Sequence, residues 1–240
     1  MNKKYSKKEE EFSGISDMLE GRHHVIPIMS NDDEEAAEKV DIPQILPILT
    51  LRSSVLFPGS ITPITVGREK SMKLVREVVG GILGAVLQKE PEVEQPGPDD
   101  LYRIGTAARI LKVLEMPNGN LTVILHGLEK VEISEFVVSE PYFKASVATL
   151  KDSAPDQNNI EFEALVDSIK DVALNIINVS PQMPKEATFA IKNIDNKRGI
   201  INFICSNLDL PDSDRQRLLE APGLLARARR LLEILVREQQ

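Results

Sequence analysis

The spacing of the apolar residues changes once along the chain, near residue 152, and this change constrains the fold more than any other feature. From residue 45 to residue 152, short apolar runs are separated by proline, glycine and asparagine, which is typical of strands and turns. From residue 153 onward, apolar residues recur every three or four positions, which is typical of amphipathic helices. We therefore predict an α+β protein with a β-domain at 45–152 and a helical subdomain at 153–240.

Prolines mark the first two predicted strands, at 45–51 and 61–66. Because proline cannot donate a hydrogen bond to a neighbouring strand, Pro47 and Pro63 place these strands at sheet edges or at strand starts. A helix is expected next at 68–79, since its apolar residues fall on one face.

The rest of the β-domain alternates apolar segments with turn signals. The continuously apolar segment 82–87 is typical of a strand covered on both sides. Asn118 and Gly119 predict a hairpin turn after a strand at 104–116, and Gly127 marks a bulge or bend. The remaining strands are predicted at 121–125, 131–133, 136–138 and 142–150. Together they indicate a compact, strongly bent β-domain with one internal helix.

Five helices are expected in the second part of the chain. Their predicted positions are 157–179, 185–194, 197–207, 212–220 and from about 222 to the end. The last helix has a long apolar stripe but neither a glycine cap nor a following proline. We therefore expect the chain to be a piece of a longer protein.

The first 44 residues differ from the rest in charge. They hold eleven acidic and six basic residues, which is −5 of the total net charge of −8. Such a segment buries too little apolar surface to offset its chain entropy, so we predict a disordered acidic extension at 1–44. Its apolar piece at 25–29 is either a docking segment or part of a loosely held tail.

Composition excludes several classes of protein. A single cysteine rules out an intramolecular disulfide framework and favours a reducing compartment, for which we take the cytoplasm. No apolar run is long enough to cross a membrane. The acidic balance and the absence of tryptophan argue against nucleic-acid binding, which relies on phosphate neutralisation.

The motifs of catalysis and cofactor binding are missing from the sequence. Lys70-Ser71 follows Gly67 but lacks the glycine that a phosphate-binding loop places before the lysine. The three histidines, at 23, 24 and 126, have no cysteine or histidine cluster around them, and Cys205 is interpreted as a core residue. We therefore predict a binding or assembly module without a catalytic, cofactor or metal site.

Seven short segments carry a resemblance to a known family. They occur in order at 46–52, 55–59, 66–71, 86–90, 100–106, 108–110 and 127–129. Together they closely resemble the N-terminal domain of the bacterial-type Lon family of ATP-dependent proteases. The residues before 45 lie outside this resemblance.

The resemblance implies a PUA-like pseudo-barrel followed by a helical bundle and a long helix. In that family the helix leads toward an AAA+ ATPase module, which uses ATP and Mg, and toward a serine-lysine protease domain. The resemblance implies for this part recognition of unfolded or degron-bearing protein substrates for protein quality control. It also implies support for assembly of a homohexamer.

Binding of unfolded chains requires exposed apolar surface or open strand edges. The substrate-binding candidates are apolar residues at a predicted turn and at the predicted hairpin tip: Leu56, Phe57, Pro58, Met116 and Pro117. Alternatively, Phe57 anchors its turn in the core. The acidic loop at 90–100 is interpreted as a solvated connector, the alternative being a docking site for basic substrates or neighbouring subunits.

Two other functions stay open from the sequence: a stand-alone adaptor or scaffold, and a PUA-type nucleic-acid-binding module. The last helix distinguishes a stand-alone adaptor or scaffold from a part of a longer protease. A stand-alone protein should bury the whole face formed by Leu231, Leu232, Leu235 and Val236, whereas a part of a longer protein should leave some of it exposed.

Overall fold

The computed structural model describes residues 40–156, 159–179, 185–194 and 196–238. Most of the predicted extension, with its piece at 25–29 and the histidines at 23 and 24, lies outside the described residues. Within them the chain forms a six-stranded sheet and six α-helices.

The strands and the helix between them follow the predicted order. The strands are β1 Ile45–Leu51, β2 Ile61–Val66, β3 Ile82–Leu87, β4 Ile104–Glu115, β5 Leu121–Val138 and β6 Lys144–Leu150. Helix α1, Glu69–Glu77, connects β2 to β3, and a short 3₁₀ turn at Pro98–Asp100 lies in the acidic loop.

Five of the strands close into a ring in the order β5-β4-β3-β1-β6, and β6 pairs back onto β5. The β1–β3 pair is parallel and the other pairs are antiparallel. Strand β2 pairs with the first part of β5 alone among the described strands, so it lies outside the ring. The α+β fold with a bent pseudo-barrel is confirmed.

Strand β5 corrects the prediction of three separate segments between 121 and 138. It is one continuous strand, and its register shifts against β4 at Ala107/Ala108 and against β6 at Ile133/Glu135. Each shift is a bulge, which interrupts the alternation of apolar residues without ending the strand. The irregular pattern in the sequence was therefore mistaken for strand breaks.

The prolines of β1 and β2 have different environments. Pro63 lies on the edge strand β2, as predicted. Of the two alternatives predicted for β1, a sheet edge or a strand start, the edge does not apply, because β1 pairs with both β3 and β6, whereas Pro47 does precede the stretch that pairs with β3. Pro47 is accommodated there because the pairing with β3 begins one residue later, at Ile48.

The helices of the second part are α2 Ile160–Val179, α3 Lys185–Asn193, α4 Lys197–Asn207, α5 Asp212–Leu219 and α6 Leu224–Glu238. Their predicted bounds agree to within three residues. One apolar cluster joins all five helices. Leu231 and Leu235 of α6 are fully buried in it, Leu232 is half-buried, and Val236 is 44% exposed.

The helical cluster continues onto the barrel through Val55, Phe57 and Leu87. Beside this apolar contact lies a buried ionic cluster of Lys130, Asp152 and Arg227, whose side chains are at most 4% exposed. Lys130 Nζ lies 2.8 Å from Asp152 Oδ1, and Arg227 Nη1 lies 2.7 Å from Asp152 Oδ2. The predicted domain boundary near residue 152, which stays a prediction, falls at this cluster.

Candidate functional site

The predicted apolar turn is mostly inside the protein. Leu56 is 2% exposed and Phe57 is fully buried, whereas Pro58 is half-buried. The Arg227 guanidinium lies 5.9 Å from the centre of the Phe57 ring, and Asn202 Nδ2 donates a 3.0 Å hydrogen bond to the Pro58 carbonyl. Leu56 and Phe57 are therefore not part of an exposed surface, and Phe57 anchors its turn, as the alternative proposed.

The hairpin tip, in contrast, is exposed. Met116 is 40% exposed, Pro117 is also exposed, and Gly119 has the positive φ of 83° that such a turn requires. Val79, which is 63% exposed, follows the end of α1. The Arg76–Glu115 ion pair, at 3.4 Å, ties that end of α1 to the end of β4. We call two exposed residues of the hairpin tip, Met116 and Pro117, the tip patch.

A cleft lies between the end of β1 and the edge strand β2. Its volume is about 540 Å³, and residues 49–54, 63–68 and 71 line it. Its charged lining residues, Arg52 and Arg68, are both cationic. A second cavity of about 560 Å³ continues beyond these arginines to the loops at 94–98 and 139–143. We call the first cavity the β1–β2 cleft.

Some backbone groups of β2 point to the edge that no strand in the described part of the chain occupies. Gly127, on β5, donates to the Ser60 carbonyl and accepts from the Gly59 amide, so odd-numbered residues at the start of β5 bond toward β2. Ile64 lies opposite Val123, so the even-numbered residues of β2 face the odd-numbered residues of β5 and form the hydrogen bonds between the two strands. The polar backbone groups of the odd-numbered β2 residues, Ile61, Pro63 and Thr65, therefore point away from β5.

Strand β1 offers a backbone group on the other side of the cleft. The Ile48 amide donates to the Phe143 carbonyl on the β6 side, whereas Leu51 accepts from Gln88 on the β3 side. By alternation, the backbone N–H and C=O of Thr50 point to the β6 side, where the paired stretch of β6 has already ended. Residues of β1 and β2 line the cleft between them.

Arg68 connects the cleft to the acidic loop at 90–100. Its Nη2 donates to Gln88 Oε1 at 2.7 Å and to the Val93 carbonyl at 3.1 Å, and its Nη1 donates to Thr50 Oγ1 at 3.4 Å. Burial, followed by the nearby Arg52 charge, lowers the pKa of Arg68. Arg52 is exposed and makes no hydrogen bond or ion pair with the described residues. The sequence prediction did not select Arg52, Thr50 or Thr65; the available signal was the edge position marked by Pro63.

The reactive side chains singled out in the sequence are occupied or buried. Lys70 pairs with Glu140, and Ser71 is buried on α1. Burial raises the pKa of the Cys205 thiol to about 12, which leaves it protonated and inert as a nucleophile near neutral pH. His126 is half-buried on β5.

The described residues contain neither a candidate metal site nor a candidate membrane span. No group of three or more histidine, cysteine or acidic residues could hold a metal ion in this part of the chain. No helix within the described ranges is long and apolar enough to cross a bilayer.

Comparison with known proteins connects this architecture to one family. A family model for the ATP-dependent protease La (LON) substrate-binding domain matches residues 45–237, from β1 to α6. Lon protease from Flavobacterium johnsoniae is 48% identical over 206 residues, covering 85% of this chain and 25% of that protein. Lon protease from Cytophaga hutchinsonii is 38% identical over 218 residues, covering 90% of this chain and 27% of that protein. The chain thus spans about a quarter of the length of these relatives.

Solved structures share the fold. The N-terminal domain of Lon protease from Mycobacterium avium complex has a TM-score of 0.64 at 18% identity, covering 80% of this chain and 98% of that one. A Lon N-terminal domain protein from Xanthomonas campestris has a TM-score of 0.56 at 20% identity, covering 79% and 97%. The resemblance found in the sequence is confirmed, and the chain belongs to the Lon protease substrate-binding domain family.

Proposed function

We propose that this chain is the substrate-recognition region of a Lon-type ATP-dependent serine protease. It binds unfolded or degron-bearing segments of other proteins for quality control and has no catalytic role itself. The observation that carries this proposal is the family match, which extends over both the barrel and the helices.

The exposed surfaces suit such a ligand. An unfolded chain presents apolar side chains and unpaired backbone groups, which a folded protein largely hides. The tip patch offers Met116 and Pro117 to the apolar side chains, and the β1–β2 cleft offers strand edges to the backbone groups. Both surfaces are on the barrel, and neither needs a cofactor.

The remaining activities belong to the parent protein. ATP and Mg act in its ATPase module, peptide bonds are cleaved in its protease domain, and this region supports assembly of the homohexamer. Several copies side by side strengthen weak substrate contacts by avidity. We place the protein in the cytoplasm, where a single buried thiol, Cys205, suits the reducing conditions.

The test is binding of a labelled, reduced and alkylated protein that cannot fold, measured by fluorescence anisotropy. We expect the unmutated chain to bind and the Met116→Asp variant to bind about fivefold or more weakly, since a charge replaces an apolar contact. Ile160→Asp is the matched control, because Ile160 is equally apolar, 82% exposed and located on α2.

Circular dichroism of both variants verifies that they are folded. Equal weakening by the two variants would remove the tip patch from the proposed function. Absence of binding by the unmutated chain, even when several copies are displayed on one bead, would overturn the proposed function itself.

A further inference from the structure

The β1–β2 cleft combines two features that point to one kind of occupant. Backbone groups of Ile61, Pro63 and Thr65 point to the edge of β2 that no described strand occupies. Of these residues, Pro63 and Thr65 line the cleft, and Thr50 lines it from β1. An exposed edge of this kind is a template for another extended chain, because each unpaired N–H and C=O finds a partner there. A helix or a small molecule does not satisfy such a row of groups.

Proline at position 63 limits the template without removing it. The proline has no N–H, but its carbonyl still faces the edge, as do the N–H and C=O of Ile61 and Thr65 on either side. An added strand on β2 therefore finds donors at two positions and acceptors at three. This pattern favours a short extended segment over a long strand.

Charge supplies the second feature. The charged side chains that line the β1–β2 cleft are the cationic Arg52 and Arg68, and Arg68 already donates to Gln88, Val93 and Thr50. Arg52 is exposed, and no acidic residue is among the described residues that line the β1–β2 cleft beside Arg52 and Arg68. Arg52 and Arg68 also line the adjoining cavity, whose other charged lining residues are Glu69, Lys70 and Glu94, so the acidic side chains belong to that cavity and not to the cleft lining.

From these observations we propose that the β1–β2 cleft binds an extended segment of the substrate polypeptide as an added strand on β2, with an acidic side chain against Arg52. This inference rests on the proposed function and names the substrate element that the barrel selects. It separates the two surfaces: the tip patch contacts apolar side chains, whereas the cleft pairs with backbone and prefers acidic over basic segments.

The first experiment uses short labelled peptides of alternating valine and threonine with a central glutamate or a central lysine. We expect the glutamate peptide to bind about tenfold more tightly, as a charge-assisted hydrogen bond to Arg52 would give. Arg52→Glu should reverse the preference. Arg109→Glu is the matched control, because Arg109 is also an exposed arginine of the barrel, located on β4, and it does not line the cleft.

The second experiment tests backbone pairing directly. Two versions of the glutamate peptide carry N-methyl groups on alternate residues, one version for each register. We expect at least one version to lose more than tenfold in affinity, because N-methylation removes the donors that a strand needs. Hydrogen exchange of the Thr65 amide should slow when the unmethylated peptide is bound, whereas exchange at Asn118 in the hairpin turn should not change.

Each outcome decides between the two surfaces. Unmethylated and methylated peptides of equal affinity, or an unchanged Thr65 amide, would overturn the added strand. If the Thr65 amide already exchanges slowly without peptide, and more slowly at higher protein concentration, a second copy of this chain occupies the edge. That result would also overturn the added strand. If the unfolded protein still binds and only Met116→Asp weakens it, the proposed function stands without the cleft; if nothing binds, both fall.

Discussion

The barrel and the helical part bury their apolar side chains in different ways. The barrel has two clusters of its own, one of which includes Leu74 and Val75 of α1. Its ring of backbone hydrogen bonds is closed by the β5–β6 pairing. The helices share one cluster, and that cluster is completed by barrel residues such as Phe57 and Leu87. The barrel is therefore self-contained, whereas the helical part depends on the barrel surface.

The joint between the two parts is polar as well as apolar. Arg227 donates to Asp152, to Asn202 Oδ1 at 2.9 Å and to the Leu218 carbonyl at 2.9 Å, and Lys130 donates to the Ala221 carbonyl at 2.8 Å. Two buried cations thus share one carboxylate. Such an arrangement fixes one geometry, because any displacement of the helices leaves a buried charge without its partners.

The largest expected effect comes from removing the shared carboxylate. Asp152→Ala should lower the free energy of unfolding by about 4 kcal/mol, because it leaves Lys130 and Arg227 buried without a counter-charge. Urea denaturation followed by circular dichroism measures the change. The control is Asp156→Ala, which removes an exposed carboxylate from the same connection. If both variants lost the same stability, the joint would have no special role.

A matched pair of core truncations tests the dependence of the helices on the barrel. Leu74 in the barrel and Leu231 in α6 are both fully buried, so each change to alanine should cost about 3 kcal/mol. Hydrogen exchange measured by mass spectrometry should separate them. Leu231→Ala should increase exchange in the helices alone, whereas Leu74→Ala should increase it in both parts. If the helices of Leu74→Ala stayed protected from exchange while its barrel exchanged, the helical part would not depend on the barrel.

The smallest effect is expected from acid. Burial by itself raises the pKa of Asp152, but the Arg227 and Lys130 charges outweigh it and lower this pKa below its ordinary value. A depressed carboxyl pKa stabilises the fold above the unfolded value of about 3.9, and this contribution is lost as the pH falls through the lower folded value. The unmutated chain should therefore lose stability more steeply than Asp152→Asn below about pH 4. If the urea midpoints of the two proteins fell equally with pH over this range, the carboxylate would not stabilise the joint.

The sequence predicted the strands and helices well because local chemistry decides them. The Asn118-Gly119 turn has the positive φ at Gly119 that its residues favour, and Pro63 marks the edge strand. Strand β5 was divided wrongly because its bulges interrupt the alternation that identifies a strand. The closure of β6 onto β5 also could not be predicted, because pairing partners depend on the whole topology.

The candidate site was harder to predict than the fold. Phe57 and Met116 both follow apolar segments at turns, yet one is buried beneath α6 and the other is exposed. Their difference arises from the docking of the helices, which no local pattern encodes. The β1–β2 cleft likewise brings together Arg52 and Thr65 from separate segments, and only the assembled barrel creates it.

The ring of strands also has a consequence for synthesis on the ribosome. Ile45, at the start of β1, pairs with Ser146 of β6, so the ring cannot close until β6 has left the exit tunnel. The contacts of Lys130 with Ala221 and of Asp152 with Arg227 wait for still later residues. The first apolar strands therefore emerge long before their partners, and a nascent chain that stalls in this interval exposes the kind of unpaired segment that chaperones bind.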